Sequence, residues 1–285
     1  MRYRGPALML VALAGLCGCS SAERSLIFPG AATKGRADAV VAPSSNYELV
    51  TLRTRSGIKI AAQFGSALDR VVSPATPAGT PRPTVLYFYG NGACLAYSQQ
   101  EFDAFRRLGV NVLIPEYPGY GMSEGIPSEA ACYEAAEAAY DYLLTRRETD
   151  PARITIAGWS LGAAVALDLA SRRPANQVVI ISAFTTMSAV ARSVAPWAPT
   201  SLIIRSKFEN TKKIASLSCP ILLVHGEQDP LVPFSMAGEL AGSAPAGLVR
   251  RLDLLNAGHN DVFRNGGKKL WAEMKTFIVG ADRPL

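Results

Sequence analysis

The sequence predicts an α/β fold in which a mostly parallel sheet carries helices on both of its faces. Three observations carry that expectation. Eight short β-branched or aromatic runs are spread along the chain, and helical segments alternate with them from the third run onward. From that run on, the strands are continuous apolar stretches without strict polar alternation, the pattern of strands buried on both faces. At 285 residues the chain is long enough for one large domain with a full core and short for two.

Taken in order, residues 1–18 read as a leader and residues 19–45 as a small, polar, Gly- and Pro-punctuated tether. The domain proper is expected over 46–285. Two early strands over 47–54 and 58–64 are separated from the main body by a Pro-rich stretch over 73–83. Further strands follow over 84–89, 111–115, 153–157, 177–182, 220–224 and 248–255, with helices over 98–108, 128–147, 161–173, 234–242 and 267–279. Residues 184–217 break this rhythm. They hold Pro196, Trp197 and Pro199 and are expected to form small helices, a cap over the sheet edge. No internal repeat is visible.

Apolar residues make up 49% of the chain and charged residues 18%, which excludes disorder. The net charge is +6, and removing Arg2 and Arg4 with the leader would leave 27 basic against 23 acidic residues. The remaining cations are scattered apart from pairs such as Lys212–Lys213, so they read as solvated surface and no nucleic acid is expected as a partner. Arg2 and Arg4 precede an apolar run from Ala7 to Gly18, too short for the ~20 residues of a spanning helix and of the form of a signal peptide. Its end, Leu16-Cys17-Gly18-Cys19, resembles the lipobox of bacterial lipoproteins, although Cys17 stands where Ala, Ser or Thr is usual. That resemblance implies export, a lipid on Cys19 and a membrane partner through it. Ser20 in place of an inner-membrane-retaining Asp points to the outer membrane, facing the periplasm. Secretion with cleavage after Ala22 is the competing expectation. Cys94, Cys132 and Cys219 then remain, expected as small buried apolar residues. With two histidines and no clustered cysteines, no metal site of familiar spacing is present and no cofactor is expected.

The chemistry is concentrated in Gly158-Trp159-Ser160-Leu161-Gly162, a G-x-S-x-G. Such a nucleophile elbow must lie between a strand and a helix, so that the hydroxyl projects from a sharp turn at the sheet edge. Arg-Ile-Thr-Ile-Ala precedes this match and a helix rich in small residues follows it. Gly121-Met122-Ser123-Glu124-Gly125 matches the same pattern but sits between Pro118 and Pro127 in a loop. Ser160 is therefore the candidate nucleophile and Ser123 a loop residue. A serine hydroxyl needs a base. His259 lies in a turn-rich loop after the last strand, whereas His225 ends an apolar strand and reads as a core-edge residue bonded to nearby backbone. In the order Ser, acid, His, Asp229 is the acid; Glu227 is a weaker candidate, and Asp261 follows His259 against that order. An oxyanion hole is expected from the backbone N–H of Leu161, at a helix N-terminus, and that of Asn91 in the Gly90-Asn91-Gly92 turn.

Several further stretches extend the pattern. They are Tyr89-Gly90-Asn91-Gly92, Glu116-Tyr117-Pro118-Gly119-Tyr120-Gly121, and Cys219-Pro220-Ile221-Leu222-Leu223-Val224-His225-Gly226 leading to Asp229 and Val232-Pro233. With the elbow, they make the chain resemble the Bem46-like branch of the α/β hydrolases, near the serine aminopeptidase-like group, over roughly residues 47–278. The resemblance implies the α/β-hydrolase fold, a Ser-Asp-His triad and hydrolysis of esters or thioesters, some relatives acting on lipidated substrates. Tyr89 replaces a His usual at that position; a hole built from backbone donors is expected to survive this, with its loop held differently. The expected reaction is acyl transfer to Ser160 from a small-molecule or lipid-like acyl substrate. An aminopeptidase-like peptidase and a non-catalytic envelope binding protein are the alternatives. Phe184, Met187 and Trp197 suggest an apolar acyl pocket, or else only pack the cap onto the sheet.

Overall fold

The computed structural model describes residues 20–68 and 80–280. Cys19, the expected leader and most of the Pro-rich stretch lie outside the described residues.

Eight strands form one sheet: β1 (Glu48–Arg53), β2 (Lys59–Gly65), β3 (Arg82–Phe88), β4 (Asn111–Pro115), β5 (Thr149–Trp159), β6 (Gln177–Ile181), β7 (Ile221–Gly226) and β8 (Val249–Leu254). Their spatial order is β1-β2-β4-β3-β5-β6-β7-β8. β2 runs antiparallel to both neighbours, and all pairs from β4 to β8 are parallel. Each strand expected from the sequence is present. β7 runs two residues further than expected, so that His225 and Gly226 pair with Asp253 and Leu254.

Both faces of the central strands are dry, as their unbroken apolar runs require. Along β6, Val179 and Ile181 join the larger core. Val178 and Ile180 point to the opposite face and join a second core with Ile214, Leu217 and Ile221.

The helices α1 (Ser20–Ile27), α2 (Gln99–Arg106), α3 (Glu129–Thr145), α4 (Leu161–Ala170), α5 (Met187–Val194), α6 (Thr200–Ile203), α7 (Asn210–Ala215), α8 (Ser235–Ser243) and α9 (Val262–Val279) accompany the sheet. α9 begins five residues earlier than expected and carries a break at Gly267, whose φ is 46°. The cap expected over 184–217 consists of α5, α6 and α7.

The largest difference from the sequence expectation lies at the N-terminus. Residues 20–45 read as a flexible tether, but they lie against the domain as a strap. Phe28 and Ile27 are buried, and Phe28 meets Phe208 with ring centroids 6.3 Å apart. Thr33 Oγ1 donates to the Gly30 carbonyl and accepts from the Gly121 N–H, at 2.6 and 3.0 Å. The apolar triplet Leu26-Ile27-Phe28 accounts for the contact: Ile27 and Phe28 leave water against the domain, and hydrogen bonds such as that of Thr33 to Gly121 add to their hold.

Candidate active site

The elbow is built by close backbone approach. Strand β5 ends at Trp159, helix α4 starts at Leu161, and Ser160 alone makes the turn with φ 55° and ψ −116°. That conformation is costly for a residue with a side chain and is held by its surroundings. The Ser160 N–H donates to the Ile181 carbonyl at 2.9 Å. The two motif glycines allow the helix to sit this close. A Cβ on Gly158 would lie 2.1 Å from the Gly162 carbonyl oxygen, and one on Gly162 would lie 1.9 Å from that of Phe88.

His259 lies in the loop between β8 and α9. Asp261 Oδ1 accepts the Gly258 N–H at 2.7 Å and so shapes the loop rather than facing the imidazole. The His259 ring packs beside Trp159, with centroids 5.7 Å apart. Its Nε2 is 2.9 Å from Ser160 Oγ, and its Nδ1 is 2.8 Å from Asp229 Oδ2. Asp229 follows β7, and its other oxygen accepts the N–H groups of Leu231 and Val232 at 2.9 and 2.8 Å. Burial pushes the Asp229 carboxyl up, but the hydrogen bond and charge of His259 and these two N–H groups outweigh it, so the net shift is downward. An anionic Asp229 accepts Nδ1–H, which leaves Nε2 as the acceptor for the serine hydroxyl.

Glu227 is exposed, and His225 is buried with Nε2 3.0 Å from the Val232 carbonyl. Burial lowers the pKa of His225 and keeps it neutral, so Nε2–H donates to that carbonyl. Ser123 Oγ accepts the Ala61 N–H at 3.0 Å, a loop role apart from the other three groups.

Asn91, Ser160 and Leu161 border one cavity of about 260 Å³. As the first residue of α4, Leu161 has no intrahelical acceptor for its N–H. Tyr89 ties the start of the Asn91 turn to the loop after β4. Its hydroxyl accepts the Tyr117 N–H at 3.1 Å, and the Tyr117 hydroxyl donates to the Tyr89 carbonyl at 2.8 Å. Phe184 and Met187 line the cavity, together with Val190, Val194 and Ile204 of the cap. Trp197 does not line it and is 71% exposed, a correction to the pocket expected from the sequence. It sits in the turn that follows α5, beyond the helical face that lines the cavity. Leu26 and Ile27 of the strap also line the cavity, which sequence reasoning missed; the apolar triplet inside a polar tether was the available signal. A larger cavity of about 690 Å³ is lined by charged residues such as Arg53, Glu137 and Arg172 and touches none of Ser160, Asp229 or His259.

Cys94 and Cys132 are buried free thiols, while Cys219 is only half-buried. The expectation of a small buried residue therefore fits two of the three.

A profile of the alpha/beta hydrolase family matches residues 87–212. An uncharacterized protein of Mycobacterium tuberculosis is 30% identical over 260 residues, covering 91% of this chain and 88% of that protein. Protein bem46 of Schizosaccharomyces pombe is 29% identical over 245 residues, covering 82% and 78%. Among solved structures, the Pyrococcus furiosus esterase Pf2001 superposes with a TM-score of 0.67 at 19% identity, covering 84% of this chain and 96% of that one. The likeness to these relatives extends well beyond the segment the profile matches, and the chain belongs to the alpha/beta hydrolase family, in its Bem46-like branch.

Proposed function

We propose that the protein is a serine hydrolase that cleaves carboxylic esters or thioesters through an acyl-enzyme intermediate. The observation that carries this reading is the unbroken hydrogen-bond chain from Ser160 through His259 to Asp229. Ser160 Oγ attacks the substrate carbonyl while His259 Nε2 takes its proton, and Asp229 stabilises the resulting imidazolium. The oxyanion is received by the N–H groups of Leu161 and Asn91. His259 then protonates the leaving alkoxide or thiolate, and the same steps with water release the acid. Among the described residues, the cavity lining holds no carboxylate to pair with a substrate amine, which favours this reading over an aminopeptidase-like one. The export and lipid anchoring expected from Cys19 belong to the same proposal. Metabolic labelling with a palmitate analogue, lost in Cys19→Ser, is their test.

Fluorophosphonate labelling of the purified protein tests the activated serine without a guessed substrate. Wild type and Ser123→Ala are expected to label and Ser160→Ala to stay unlabelled. A folded wild type that does not label would move the non-catalytic binding reading to the front.

A further inference from the structure

The cavity beside Ser160 has a wall that neither the elbow nor the cap supplies. Leu26 and Ile27, at the end of α1, line it from the N-terminal strap. The strap is held at two places. The Glu23 carboxylate accepts the N–H groups of Arg205 and Ser206 in the cap, both at 2.9 Å. At the other end, Asn91 Nδ2 donates to the Ile27 carbonyl at 3.1 Å, and the Gly30 N–H donates to the Asn91 carbonyl at 2.9 Å. The fit there leaves no slack, since a Cβ on Gly30 would lie 2.6 Å from that same carbonyl oxygen. The wall is thus tied to the loop that carries the Asn91 N–H.

A volume of about 260 Å³ falls below the ~300–1,000 Å³ of sites for drug-sized ligands, so a single unbranched chain fits better than a bulky ring system. Its lining beyond Ser160 and Asn91 is apolar. We infer that Leu26 and Ile27 form the wall of an acyl-chain subsite and set the length of unbranched acyl group that the enzyme accepts. This rests on the serine-hydrolase reading above. Each methylene buried in such a subsite should raise kcat/KM about fourfold until the chain meets the strap, after which the gain stops.

The test is kcat/KM for p-nitrophenyl esters from acetate to laurate, measured for wild type, Leu26→Ala, Ile27→Ala and Leu26→Trp. Fluorophosphonate labelling of each variant reports that its site is intact. In the alanine variants the chain length at which the gain stops should move up by about one to three carbons, the size of the removed side chain, and in Leu26→Trp it should move down. Leu26 is only half-buried, so its two variants keep the test decisive if Ile27→Ala fails to fold. A break at one unchanged length in labelled variants overturns the inference and leaves the hydrolase reading standing. A folded wild type that neither labels nor hydrolyses any ester overturns both.

Discussion

Tyr89 ties the start of the Asn91 turn to the loop after β4 through its own hydroxyl and carbonyl. Its phenol is fully buried, and its hydroxyl is the acceptor for the Tyr117 N–H. Tyr89→Phe removes that acceptor and leaves a buried donor unpaired, so a loss of about 1–3 kcal/mol is expected in urea denaturation. Labelling of Ser160 should persist, because the Asn91 turn keeps its own bonds to the strap. Asp229 acts differently. Asp229→Asn preserves shape but turns Nδ1 into the acceptor and Nε2–H toward the serine, which removes the base. A fall of about 10⁴ in kcat, read with an activated ester, is expected.

At the scale of elements, the junction of β5 and α4 decides whether the site exists. The first turn of the helix packs against the end of β3, and every residue from Leu161 to Leu169 is buried. Gly162→Ala would place a methyl group 1.9 Å from a main-chain oxygen that cannot swing aside. A destabilisation of at least ~3 kcal/mol is expected, read as a lower denaturant midpoint together with loss of labelling. The same junction sets the N-terminus of α4 beside Ser160, where its dipole favours developing negative charge.

Across the whole molecule, Glu116 joins loops that are distant in sequence. Its carboxyl group is fully buried and accepts the N–H groups of Leu95 and Met122 at 2.9 and 2.6 Å. Burial raises its pKa from the ordinary 4.5 to about 7, against the opposing pull of those N–H groups. Between these values the folded protein therefore holds a proton that the unfolded chain has released. Glu116 contributes its stability in full below pH 4.5 and loses it progressively as pH rises to 7, by up to about 3 kcal/mol. Melting temperatures from pH 5 to 8 should fall more steeply for wild type than for Glu116→Gln. Equal slopes would show that burial does not hold the proton on this carboxyl.

Much of this molecule was legible in its sequence because the signals are local. Continuous apolar runs mark strands buried on both faces, and Gly158 and Gly162 mark a turn whose backbones must touch. Ser160, Asp229 and His259 each follow a strand, so chain order placed all three at one sheet edge. Local patterns could not show where the N-terminal segment goes. Three apolar residues within a polar stretch carry no period, and their partners, the cavity for Leu26 and Ile27 and the Phe208 ring for Phe28, are distant in sequence. Trp197 shows the converse, since a large apolar residue close to a site in sequence stands in solvent when it falls in the turn after a helix. Local sequence was enough for the sheet, the elbow and the order of the chemical groups. What walls the cavity was settled by the packed chain, because burial against distant residues is a property of packing and not of any single segment.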